Sequence, residues 1–259
     1  MSERVDFSRN APIYDRRHGA FVPERLVSEL VKVTGLPRGS RILDVGAGTG
    51  RAAIPFARTG YSVVAVDPAP AMLGSLRQKS GDAQVAAVVA DGTQLPFAAH
   101  SFDAAVIARL LYLVPDWQRM ILETLRVVKP GSAVFHEWGN GNAGDDWVQV
   151  REQARALFET AGVRDPFHPG ARTEAEVDVF LAQHGVRPVA QVPYESAGPV
   201  TMREFLSRIE SGECSYTRKV PPALHAGCVT ALLEWTQARF DIYRPIASGT
   251  AWKIFRLSE

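Results

Sequence analysis

Arg41-Ile42-Leu43-Asp44-Val45-Gly46-Ala47-Gly48-Thr49-Gly50-Arg51 is the stretch from which the fold is read. Residues 42–45 are a short β-favouring run suited to a strand buried on both faces. Glycines at 46, 48 and 50 then make a turn with room for a ligand, and residues 51–58 read as the helix that follows. Glycine accepts positive φ and lets the backbone approach a bound group closely. The helix N-terminus leaves unpaired N–H groups facing the same place. A tight turn with no ligand is the plainer alternative. The spacing separates two cofactor classes. A dinucleotide fingerprint runs Gly-x-Gly-x-x-Gly, its third glycine allowing close helix–strand packing. Here Arg51 stands where that third glycine would fall.

Working outward, Gly60 stands where a helix C-cap glycine belongs, and residues 61–66 form a second strand ended by Asp67-Pro68. Asp67 lies 21 residues after Gly46, close to the interval at which an acidic side chain meets a ribose. Its two carboxylate oxygens can accept from both ribose hydroxyls. The other reading of Asp67 is a loop aspartate serving the next helix, residues 69–79. Met72, one turn into that helix, is either apolar cover for an adenine or core packing. A third strand at 84–90 leads to Asp91-Gly92-Thr93-Gln94-Leu95-Pro96-Phe97. A fourth, at 101–107, delivers Ala108-Arg109-Leu110-Leu111-Tyr112 at its carboxyl end, where ligands sit in open α/β sheets. An amphipathic helix at 117–128, the turn signal Lys129-Pro130-Gly131-Ser132 and a fifth strand at 133–137 follow.

The phrase Leu-Asp-Val-Gly-Ala-Gly-Thr-Gly, the acid followed by Leu-Pro-Phe, the Ser-Phe-Asp strand and the Arg-Val-x-Lys-Pro-Gly link occur in one order over about residues 38–138. Together they resemble class I S-adenosylmethionine-dependent methyltransferases, nearest the small-molecule branch known as methyltransferase type 11. The resemblance implies a Rossmann-like, seven-stranded, mostly parallel sheet with helices on both faces, an antiparallel last strand and a helical lid. It implies S-adenosylmethionine as cofactor, with S-adenosylhomocysteine as product. The turn residues Asp44, Gly46, Ala47, Gly48 and Gly50 would then line the cofactor. Asp67 with Pro68 would take its ribose, Met72 would cover the adenine, and Asp91, Gly92 and Thr93 would meet the adenine amino group. Asp91 otherwise reads as a turn aspartate bonding its own backbone. Arg109 would hold a carboxylate of cofactor or acceptor, or else be a surface ion pair. Tyr14 matches a tyrosine that closes over the cofactor in the family, or it is an aromatic plug. The arginine common four residues later is His18 here.

The second half is less patterned. Helical stretches at 146–161, 173–184, 201–211 and 222–240 surround a sixth strand at 187–195 and a seventh at 251–257. The family links its last two strands by a short connection, so the long insertion between them reads as a helical lid. Tyr216, Trp235 and Phe240 are either acceptor contacts or lid core. His136-Glu137-Trp138 is expected to face the cofactor cleft. No histidine follows four residues after His136, so this is not a zinc-protease motif. His136 is a candidate general base, should the acceptor be a hydroxyl or protonated amine, or simply a histidine at a strand end. The expected organisation is an N-terminal segment and helix over the cofactor (1–37) and a Rossmann-like core (38–138). The lid and acceptor region (139–170 and 198–247) and the closing elements of the sheet (171–197 and 248–259) complete it.

Composition narrows the classes. The 259 residues are 46% hydrophobic, with 17 prolines and 21 glycines, as in an ordinary globular domain. Twenty-nine basic against 28 acidic residues give +1, which does not support binding to nucleic acid or a membrane surface. Cys214 and Cys228 lack metal-ligand company, so no metal or disulfide scaffold is expected. Residues 1–10 have no apolar signal-peptide core and no run spans a bilayer, so a cytoplasmic protein is expected. The leading function is methyl transfer to a small-molecule acceptor. The alternatives are an NAD-dependent oxidoreductase, disfavoured by Arg51, a tRNA or other nucleic-acid methyltransferase, and a non-catalytic cofactor-binding protein. Monomer and dimer both stay open.

Overall fold

The computed structural model describes residues 21–139, 144–163, 169–195, 200–212, 220–246 and 249–258. Tyr14, His18, Cys214, Tyr216 and residues 140–143 lie outside the described residues. The described elements begin with α1 (Glu24–Thr34), β1 (Arg41–Val45), α2 (Ala53–Arg58), β2 (Ser62–Asp67) and α3 (Pro70–Ser80). Then come β3 (Val85–Val89), β4 (Phe102–Ala108), α4 (Trp117–Val127), β5 (Val128–Glu137), α5 (Gly144–Thr160) and α6 (Glu174–Gln183). The last are β6 (Val186–Glu195), β7 (Val200–Thr201), α7 (Met202–Glu210), α8 (Pro222–Gln237), β8 (Pro245–Ile246) and β9 (Gly249–Leu257).

The chain divides into two compact units. One comprises Met1–Gly139, Gly170–Tyr194 and Ala251–Glu259, and the other Asn140–Pro169 and Glu195–Thr250. The first carries a seven-stranded sheet of order β3-β2-β1-β4-β5-β9-β6. β1 pairs in parallel with β2 and β4, β2 with β3, and β4 with β5. β9 runs antiparallel to β5, as expected of the last strand. Four of the five β1 residues and five of the six β2 residues are buried, because helices cover both faces and each alternate side chain finds a core. On one face Ile42, Val63, Ala65, Ala104 and Phe135 pack with Leu26, Phe56 and Leu73 from α1–α3. On the other Leu43, Val64, Ala105, Ile107 and Val134 pack with Met120, Ile121, Val177 and Leu181 from α4 and α6.

One expected turn is part of a strand. Lys129-Pro130-Gly131-Ser132 lies inside β5, and the pairing steps from Phe102–Val128 to Ala104–Ala133, so several residues bulge opposite Asp103. Proline, with no N–H to give, fits such an irregularity, and Gly131 takes φ 72° there. Asp103 ties the bulge down: it accepts from the Arg41 amide at 2.8 Å and from Lys129 Nζ at 2.5 Å.

The second unit has its own core, in which Trp147, Val150 and Phe158 of α5 meet Met202, Leu206 and Ile209 of α7 and Leu232 of α8. Trp235 and Phe240 pack against that core with ring centroids 5.9 Å apart. Thr201 caps α7 in a reciprocal capping box with Glu204. α8 ends at Gln237, shorter than the 222–240 run suggested. Among the described residues, no helix is long and apolar enough to cross a membrane, and no group of three metal-ligating side chains forms.

Candidate active site

The strand order reverses between β1 and β4, and a crevice outside the carboxyl ends at such a reversal is where open α/β sheets take their ligands. The glycine turn leaves β1 here, with Gly46, Gly48 and Gly50 at φ 69°, 54° and 90°. This backbone path is one that only glycine follows without strain. A side chain at Gly46 would run into Leu110, whereas one at Gly48 would meet nothing within 4 Å. Gly48 therefore faces open space.

Beneath that open face lies Asp67, the last residue of β2 and 9% exposed. Its Oδ2 accepts from the Gly48 amide at 2.9 Å and its Oδ1 from the Ala69 amide at 2.8 Å. Each oxygen keeps a second lone pair for a further donor. Burial pushes the Asp67 carboxyl above its ordinary value, and the two amides pull it back. Asp67 thus serves the turn before α3, one of its two sequence readings, and also grips the glycine loop. Pro68 is exposed, and Met72 is 2% exposed in α3.

Asp44, in β1, is buried at 2% exposure, and its Oδ2 has no hydrogen-bond partner. Burial drives its carboxyl up to about 7; the Ala53 amide lowers it, Asp67 raises it further and Arg51 lowers it. Ala47, 7% exposed, donates its amide to the Val66 carbonyl at 2.9 Å and so fixes the turn against β2.

Past β3, Asp91 Oδ1 accepts from the Thr93 amide at 2.9 Å, the turn contact that was its alternative reading. Gly92 packs so closely that a Cβ there would come within 2.7 Å of Met120 Cε and 2.9 Å of Val45 Cγ1. α4 carries the whole loop. Arg119 Nε donates to the Thr93 carbonyl at 3.1 Å, and Glu123 Oε2 accepts from the Leu95 amide at 3.0 Å. Arg126 donates to the Leu95 and Phe97 carbonyls at 3.1 and 2.9 Å.

Arg109, just beyond β4, is not a simple surface ion pair. It adopts φ 54°, donates its amide to the Glu137 carbonyl at 2.7 Å, and donates Nε to Glu137 Oε1 at 3.1 Å. Glu137, fully buried at the end of β5, also receives both terminal nitrogens of Arg51. Sequence reading gave no role to either Glu137 or Arg51. A signal was present, for Arg51 occupies the missing third glycine, and Glu137 is an acid at a strand end like Asp67.

His136 is a correction. It was expected to face the cleft, but it is 2% exposed, and its ring borders a small apolar cavity of about 10 Å³ lined by Leu111, Ile121, Val177 and Leu181. Neither ring nitrogen has a hydrogen-bond partner, and Glu174 Oε1 lies 3.9 Å from Nδ1. Strand alternation explains this, because Phe135 takes one face of β5 and His136 the other, which is covered by α4 and α6. Burial, and then the Lys253 charge, lower the imidazole to about 3, so it is neutral and enclosed.

This sheet order, its glycine turn and the strand-end carboxylates define a class I, Rossmann-like methyltransferase fold. Residues 43–136 match the family described as Methyltransferase domain. A demethylmenaquinone methyltransferase of Renibacterium salmoninarum is 40% identical over 102 residues, covering 39% of this chain and 42% of that protein. The match thus spans about two fifths of that relative. The uncharacterized methyltransferase Rv3342 of Mycobacterium tuberculosis is 31% identical over 205 residues, 77% of this chain and 81% of the relative. Among solved structures, the [4+2]-cyclase SpnF superposes with a TM-score of 0.62 at 19% identity, covering 97% of this chain and 93% of that one. That likeness concerns the fold alone. The chain belongs to the S-adenosylmethionine-dependent methyltransferase family.

Proposed function

We propose that the chain transfers a methyl group from S-adenosylmethionine to a small-molecule acceptor. The observation that carries the reading is Asp67, whose buried carboxylate holds Gly48 beneath the open face of the glycine turn. The donor set fits the cofactor. Asp67 would accept from the ribose hydroxyls, Asp91 with Gly92 and Thr93 would meet the adenine, and Met72 would pack beside it. Asp44, Gly46, Ala47, Gly48, Gly50 and Pro68 would form the floor, and the orphaned Asp44 Oδ2 is an acceptor that a bound donor group would satisfy. When bound, the cofactor supplies an electrophilic methyl on a sulfonium that leaves as a neutral thioether. The leaving group needs no proton, so what the chain contributes is alignment and exclusion of water. We assign no general base, since His136 is enclosed and neutral.

Acceptor choice is assigned to the second unit, all of which lies outside the matched residues 43–136 and which interrupts the closing elements of the sheet. The small-molecule class is supported by the relative that acts on demethylmenaquinone and by the near-neutral charge of +1. Incubation with methyl-tritiated S-adenosylmethionine and a panel of quinones, phenols, amines and bulk tRNA tests it. Label in an organic-extractable or small polar product is expected. Label in tRNA alone would replace this reading with the nucleic-acid one.

A further inference from the structure

The seven-stranded sheet ends in β3 on one side and β6 on the other, and the two edges are built differently. A sheet edge offers a row of unpaired N–H and C=O groups to any other chain, and proteins blunt it with proline, charge or cover. β6 contains Arg187, Pro188 and Pro193, and a proline has no N–H to give an incoming strand. β3 has none of these. Residues 84–90 read Gln-Val-Ala-Ala-Val-Val-Ala, without a charge or a proline, and Val89 is 52% exposed.

β3 pairs in parallel with β2. The Val63 amide donates to the Gln84 carbonyl and the Ala90 amide to the Asp67 carbonyl, each at 3.4 Å. Residues of that parity turn their backbone groups inward, so Val85, Ala87 and Val89 turn theirs outward. At the centre of this outward set one side chain reaches over the edge. Arg77, exposed in the last turn of α3, donates Nη2 to the Ala87 carbonyl at 3.0 Å. α3 is already fastened to the sheet by Leu73 and Leu76, both fully buried in the core, so this bond is not needed to hold the helix.

We propose that Arg77 keeps the β3 edge closed to a second copy of this chain. Without Arg77 the edge is self-complementary. In an antiparallel pair of β3 strands centred on Ala87, the two Ala87 residues would exchange N–H···O bonds, and Val85 would face Val89 of the other copy. Ala86 would face Val88, so every opposed pair is apolar and nothing in the strand itself repels its copy. Arg77 opposes this pairing twice. Its guanidinium occupies the carbonyl that the second copy's amide would need. The two-fold axis would also bring Arg77 against its own copy, and like charges that meet across such a pair destabilise it.

Sedimentation velocity of the full chain over a series of concentrations tests this. Arg77→Ala removes the cap and the charge together, and its mass is expected to rise with concentration to about twice that of the wild type, where an isologous pair closes. Alanine suits an exposed helix position, so the variant keeps its fold, which thermal unfolding checks. Adding Val89→Lys to Arg77→Ala sets a charge on the bare edge and should return the wild-type mass. Arg77→Lys retains the charge beside the axis and should sediment as the wild type does. Wild-type mass in Arg77→Ala at every concentration would overturn the proposal. So would association that Val89→Lys leaves intact, which would put the contact on another surface, or equal association in Arg77→Lys.

Discussion

Asp44 of β1 and His136 of β5 belong to one sheet and are displaced from their ordinary titration in opposite senses. Asp44 moves from 3.8 to about 7 and His136 from 6.5 to about 3, each chiefly through burial. Between about pH 4 and 7 the native chain keeps an Asp44 proton that the unfolded chain releases, so this group makes stability fall as pH rises. Between about pH 3 and 6.5 the unfolded chain takes a His136 proton that the native one refuses, so that group makes stability fall as pH falls. The two slopes oppose each other across their shared window. Denaturant unfolding of Asp44→Asn from pH 4 to 8 should therefore show stability rising with pH more steeply than in the wild type. His136→Phe should show it falling. A wild-type profile in both variants would mean that neither group is buried as described. Residue-scale legibility was uneven for a physical reason. The glycine turn and Asp67 lie on one short βαβ unit, where spacing alone fixes their relation. Glu137 meets Arg51 across 86 positions of sequence, which only the strand order brings together.

At the scale of elements, the strands and helices of the first unit followed their hydrophobic periods, and the misses came where tertiary contacts override local signals. The Lys-Pro-Gly run reads as a turn, yet Asp103 and Lys129 anchor it in β5 as a bulge. The segment after β4 is held by a contact with no sequence signature. Gly170 and Ala171 donate their amides to the Tyr112 and Leu111 carbonyls at 3.1 Å each. A Cβ on Gly170 would lie 2.0 Å from the Leu111 carbonyl oxygen, so even alanine must push the two backbones apart. Gly170→Ala is expected to lower stability by about 1–3 kcal/mol, in the range of an overpacked contact. Hydrogen exchange should rise over residues 109–114. Unchanged exchange there, with unchanged stability, would show that the two segments do not hold each other.

For the whole molecule, the order β3-β2-β1-β4-β5-β9-β6 decides which residues can act together. It gathers Asp67, Asp91, Arg109 and Glu137 at the carboxyl ends of neighbouring strands, although they span 71 positions of sequence. Methyl transfer asks little of such a site beyond holding a donor in line, and carboxylates fixed by backbone amides and half-buried arginines provide that rigidity. The central claim is that Asp67 holds the nucleoside of the donor. Its most direct test is calorimetric titration of S-adenosylhomocysteine into the wild type and Asp67→Ala, with NAD as the comparison ligand. The account predicts micromolar binding of S-adenosylhomocysteine by the wild type, a loss of about a hundredfold in the variant and no response to NAD. Equal affinity in both proteins, or binding of NAD alone, would contradict it.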